Sequence, residues 1–178
     1  MEGSIKADGN IQFLLDKTGT MMEAPAYCYY NLFFDSTSET GYNRSLTQAP
    51  KLPATTLASG CYSTMFSCCS SLTQAPALPA TTLADNCYSY MFSECISLTQ
   101  APELPATTLA DNCYFCMFYC CESLNNVNVS FSDWSTGLDA TIDWLIDVAA
   151  EGTFTCPDDL PEERSPSNIP EGWTIVRK

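Results

Sequence analysis

The chain has 178 residues, 46% of them hydrophobic, and a net charge of −14 from seven basic and 21 acidic side chains, with no histidine. So few lysines and arginines exclude a phosphate-reading nucleic-acid surface. Without imidazole, Ser-His-Asp and Cys-His nucleophile systems and imidazole zinc sites are excluded as well.

In chain order, MEGSIKADGN lacks the basic and apolar regions of a secretory signal. This leaves either a cytoplasmic protein or a segment that follows an upstream signal or domain. No apolar run approaches the ~18 residues of a membrane span, so no membrane insertion is expected. Residues 1–44 are expected to cap one end, through the apolar cluster Ile11, Phe13, Leu14 and Leu15. They also carry a degenerate repeat, CYYNLFF (28–34), offset from CYSTMFS (61–67) by one period and a seven-residue insertion within DSTSETGYNR (35–44).

Three full repeats follow, at 45–70, 71–96 and 97–122. Each is 26 residues long and matches the next at 20 of 26 positions. Within a unit, Ser-Leu-Thr-Gln-Ala (71–75) predicts a very short strand that Pro76 stops. Thr82 is placed as a helix N-cap with Asp85 as its capping-box partner. Leu83, Cys87, Tyr88 and Met91 then recur at helical spacing, with Phe92 closing the stripe. Stacking is expected to bury Leu46/Leu72/Leu98, Leu57/Leu83/Leu109 and Phe66/Phe92/Phe118 against their copies.

Residues 123–178 are expected to cap the other end of a single domain spanning 1–178. VNVSF (127–131) reads as a strand, and Leu138, Ile142, Leu145 and Val148 as a helix face closed by a C′ glycine at Gly152. A Pro-rich acidic loop (156–172) leads to a last strand, WTIVRK.

The order Ser71-Leu72-Thr73, Leu78-Pro79, Leu83, Met91-Phe92, Cys95, repeated in each unit, resembles the BspA-like leucine-rich repeat of bacterial surface proteins. The units run longer than that class, and a proline interrupts the strand. The resemblance implies an α/β leucine-rich-repeat solenoid. Short parallel strands would stack in one sheet, with short helices on the other side and caps at both ends. It also implies display on the cell surface or outside the cell, and adhesion to a protein or glycan on a host or neighbouring cell, with no catalytic residue and no cofactor.

The remaining constellations have plain readings. Cys61/Cys87/Cys113 and Cys69/Cys95/Cys121 form ladders of small buried residues. Disulfides suit an odd total of eleven poorly. Cys113, Cys116, Cys120 and Cys121 lack the second pair of a metal ribbon, so no metal is assigned. Asp139, Asp143 and Asp147 read as the solvated face of the cap helix, with calcium as the alternative. Asp158, Asp159, Glu162 and Glu163 read as solvated loop acids. Tyr90, Phe115 and Tyr119 vary between units, as either binding anchors or lateral packing.

The strand side offers rows of short polar groups: Thr47, Gln48, Thr73, Gln74, Thr99 and Gln100, flanked by Lys51, Ala77 and Glu103. These rows are the candidate ligand contacts. Two other readings stand beside recognition: a spacer or appendage segment without a ligand, and a thiol or metal-binding protein.

Overall fold

A computed structural model describes residues 5–34 and 43–178; most of the insertion read at 35–44 lies outside them. The expected fold is overturned. Among the described residues the only helix is a single 3₁₀ turn at Ile11–Leu14, and the strands are short and divided among small separate sheets. The leucine-rich-repeat architecture with helices on one side is therefore not what this chain forms.

Seven strands occur among the described residues: β1 (Ile5–Lys6), β2 (Glu23–Ala24), β3 (Leu46–Gln48), β4 (Thr56–Leu57), β5 (Asn126–Asn128), β6 (Thr153–Cys156) and β7 (Thr174–Arg177). They pair in parallel as β1–β3, β2–β4 and β5–β6–β7. Only the first repeat carries its expected strand. The third contributes isolated bridges at Gln100 and Leu104, and the second contributes none.

In place of each helix is a chain of four-residue turns. In the second repeat the N–H groups of Cys87, Ser89, Met91, Ser93 and Cys95 each bond locally to the carbonyl three residues back. The alternate N–H groups leave the unit. Asn86 donates to Asp111 at 2.9 Å, Tyr88 to Cys113 at 3.1 Å, Tyr90 to Phe115 at 2.9 Å, Phe92 to Met117 at 2.9 Å and Glu94 to Tyr119 at 2.7 Å. The same alternation ties 60–68 to 85–93 and 112–120 to 138–146. An α-helix would spend these donors internally; here they stitch one copy to the next.

The turns require a left-handed residue every fourth position, as the third residue of a type II turn does. Gly60, Thr64 and Cys68 fill these places in the first copy, Asn86, Tyr90 and Glu94 in the second, and Asn112, Cys116 and Cys120 in the third, all with φ between 49° and 62°. Asp139, Asp143 and Asp147 continue the series at 54°, 54° and 52°. Their spacing of four is thus a backbone requirement that aspartate tolerates, not the face of a cap helix. The expected cap helix is absent. Leu138 and Ile142, assigned to its buried face, are 67% and 36% exposed. Thr82 caps nothing, and Cys113, Cys116 and Cys120 share no helix face.

Between copies the side chains form ladders. Tyr29, Tyr62, Tyr88 and Tyr114 stack with centroids 5.4, 5.9 and 6.1 Å apart. Phe33, Phe66, Phe92 and Phe118 stack at 5.3, 5.6 and 5.7 Å. Both ladders end on Trp144, which lies opposite Phe118 in the backbone ladder. Ala140 stands opposite Tyr114 and leaves room for the indole, which stacks on Tyr114 at 6.0 Å. Leu46, Leu72 and Leu98 are buried as expected, whereas Leu57 and Leu83 are only half-buried. At the N-terminal end Ile11 is buried, but Phe13 and Leu14 are exposed and lie outside the core.

Beyond the third repeat, β5, β6 and β7 extend the stack with Val127 and Phe154 fully buried. Gly152 is not a helix cap. A Cβ there would come within 2.6 Å of both the Asn125 carbonyl and the Trp173 ring, so close packing demands glycine. The Pro-rich loop is held by Arg164, which donates to the Pro170 and Trp173 carbonyls, and by Arg177, which donates to the Pro157 and Leu160 carbonyls.

Candidate binding surface

The strand side of the three repeats differs from the turn side in one respect. Among the described residues, no hydrogen bond of any kind involves Thr73–Leu83, either as donor or as acceptor. The first copy pairs outward with β1 and β2, and the third pairs outward with β5. On this side, among the described residues, no backbone hydrogen bond joins the middle copy to either neighbour.

Each copy carries two prolines here, Pro50/Pro53, Pro76/Pro79 and Pro102/Pro105, which remove donors from any ladder. On this side the direct ties are the Ser71 hydroxyl on the carbonyl of Arg44, just before the first copy, at 2.8 Å and the Ser97 hydroxyl on the carbonyl of Ser70, the last residue of the first copy, at 2.6 Å. Beyond those latches the copies stand apart and leave grooves.

The groove between the second and third copies is open and has a volume of about 660 Å³. Its lining brings together Thr73, Gln74, Thr99, Gln100 and Glu103 over a floor of Ala75, Leu78 and Ala101. Those five polar residues are exposed and make no side-chain hydrogen bond among the described residues. Thr47 and Gln48 lie in the next groove, between the first and second copies, and are already engaged. The Thr47 hydroxyl donates to the Ile5 carbonyl at 3.2 Å and the Gln48 amide to Asp8. Lys51 is exposed on a neighbouring apolar rim with Pro50, Pro53, Pro76 and Pro79. The candidate contacts are therefore not one uniform row: five are uncommitted at one groove, and three flank the other.

Sequence reasoning did not find Lys6, which lines the groove between the first and second copies together with Gln74, because it belongs to no repeat. It also did not find the unpaired backbone. Two prolines within four residues recur in each copy, but the first and third copies carry them and are paired all the same, so they do not mark the open edge.

The variable aromatics lie away from these grooves. Tyr90 and Phe115 meet edge-on at 5.3 Å on the turn side. Tyr90 itself occupies a left-handed slot, and Phe115 and Tyr119 each precede one, held by Cys116 and Cys120.

All eleven cysteines are free thiols. Cys61, Cys69, Cys87, Cys95, Cys113 and Cys121 are completely buried. The Cys95 thiol donates to the Phe66 carbonyl at 3.1 Å and the Cys121 thiol to the Phe92 carbonyl at 3.0 Å. Burial pushes the Cys61, Cys69 and Cys113 thiols up to about 12. No group of three or more Cys, Asp or Glu among the described residues is placed to hold a metal ion. No helix there is long and apolar enough to cross a membrane.

No family model matches the chain, and neither a curated protein nor a solved structure matches it.

Proposed function

We propose that the protein is a non-catalytic recognition or adhesion module, displayed at a cell surface or outside the cell, whose strand side binds a protein or glycan. The observation that carries this reading is the groove of uncommitted Thr73, Gln74, Thr99, Gln100 and Glu103. Exposed hydroxyl and amide groups over small apolar side chains suit orientation of a ligand by hydrogen bonds. The motif likeness to BspA-like surface proteins supports the location outside the cell.

The spacer reading draws on the uniform aromatic ladders of the turn side. A spacer, however, leaves the unequal strand side without a use.

The test is a screen on glycan and protein arrays, followed by Thr73→Ala with Gln74→Ala. The double variant is expected to melt within a degree or two of the parent and to bind the ligand about 10-fold more weakly, near the worth of two lost hydrogen bonds. If substitutions at Tyr90 and Tyr119 abolish binding while this pair does not, the strand-side assignment is wrong.

A further inference from the structure

The structure points to the chemical class of ligand for the groove between the second and third copies, an inference that rests on reading that groove as the binding face. We propose that it takes an extended polypeptide segment as an added parallel strand, hydrogen-bonded to the free backbone of Thr73–Leu78.

The outer copies display what this sequence does with its backbone. In the third copy, SLTQAPELP (97–105) is paired by the extended segment 125–130. Asn125 N–H donates to Thr99 O at 3.1 Å, Ala101 N–H to Asn126 O at 2.9 Å, Leu104 N–H to Asn128 O at 3.0 Å and Ser130 N–H to Leu104 O at 3.1 Å. In the first copy, SLTQAPKLP (45–53) is paired on its other edge by residues 5–11. There Ala7 N–H donates to Gln48 O at 3.0 Å and Lys51 N–H to Gly9 O at 2.8 Å.

The second copy, SLTQAPALP (71–79), differs from both at one position in nine. Its equivalent groups, Thr73 O, Ala75 N–H and both groups of Leu78, have no partner among the described residues. All three residues line the groove. A polypeptide supplies alternating N–H and C=O groups at the strand repeat, and a glycan does not. The paired segment of the third copy also indicates which side chains fit. Val127 and Val129 point inward and are fully buried, and Asn126 and Asn128 lie between solvent and core. Over the small floor residues Ala75 and Ala101, alternating β-branched and polar residues meet the same demand.

The probe is the acetylated, amidated peptide Asn-Asn-Val-Asn-Val-Ser-Phe, the sequence of residues 125–131, added to the intact isotope-labelled protein. Saturable chemical-shift changes are expected at Thr73, Ala75, Ala77 and Leu78. N-methylation of the peptide at its first Asn and at its Ser removes two donors and is expected to weaken binding at least about 10-fold.

Absence of saturable binding at millimolar peptide overturns the proposal. So does equal binding by the N-methylated peptide. Changes confined to residues 99–104 mean exchange with the chain's own β5, and they overturn it too. If the peptide fails while the Thr73/Gln74 double variant weakens an array-identified glycan, the recognition reading stands and the polypeptide inference alone falls.

Discussion

The Thr64 amide donates to the Ser89 carbonyl of the next copy at 2.9 Å while Thr64 itself sits at φ +54°. A β-branched residue in the left-handed region is strained by about 1–2 kcal/mol. The strain is tolerated because only this backbone aims alternate N–H groups at the neighbouring copy. Asn occupies another place of the same series at Asn86, with φ +58°.

It follows that Thr64→Asn should stabilise the protein. Its hydroxyl bond to the Ser63 carbonyl is lost, so the net gain is expected near ~1 kcal/mol, a rise in Tm of about 2–4 °C. The reverse change, Asn86→Thr, should lower Tm by a similar amount. A calorimetric melt of both variants checks this. Equal and opposite shifts are expected, and a destabilised Thr64→Asn contradicts the turn geometry.

The tyrosine ladder predicts a contrast along one row. Tyr62 and Tyr88 have buried hydroxyls without a partner among the described residues, whereas the Tyr29 hydroxyl donates to Gln12 Oε1 at 2.6 Å. An unmet buried hydroxyl costs about 1–3 kcal/mol. Tyr88→Phe is therefore expected to raise the urea midpoint with the m-value unchanged. Tyr29→Phe should lower it, because the buried Gln12 loses its donor. Identical effects at both positions count against the arrangement.

The thiols predict both reactivity and alkaline stability. Nine of the eleven are buried, so a disulfide reagent at neutral pH should label most of them only after denaturation. Burial raises Cys61, Cys69 and Cys113 from the ordinary 9.0 to about 12 in the folded protein. The folded state thus holds protons that the unfolded chain releases above pH 9. Stability from these groups is complete below pH 9 and is lost as pH rises toward 12, by ~1.4 kcal/mol per pH unit for each thiol. Urea midpoints should be flat from pH 7 to 8.5 and fall steeply above pH 9.5. Replacing Cys113 with Ala should make that fall shallower. A slope unchanged by this substitution shows that the ladder thiols do not set it.

The 26-residue period, and with it the identity of the layer contacts, was legible in the amino-acid sequence. Identical interfaces call for identical residues, so Leu72, Phe92 and Cys95 could be placed in the core from their recurrence alone. The strand-side Thr-Gln rows were legible for the same reason. The conformation between those contacts was not. Pairs at Cys87-Tyr88 and Met91-Phe92, followed by Cys95, recur every four residues, and over two turns a period of 4.0 is hardly separable from the helical 3.6.

What separates them is where alternate amides find their acceptors. Those acceptors belong to another copy, about 25 residues along the chain, and no local pattern discloses them. The grooves have the same origin. Thr73–Leu78 reads like its counterparts in both neighbouring copies, yet among the described residues it alone is left unpaired. Its environment is set by which copies the flanking segments 5–24 and 125–130 join. Local sequence determined the units and their buried faces; only tertiary pairing decided turn over helix and which backbone edge remained open. A hydrogen bond between layers depends on a partner that the donor's own neighbourhood does not contain.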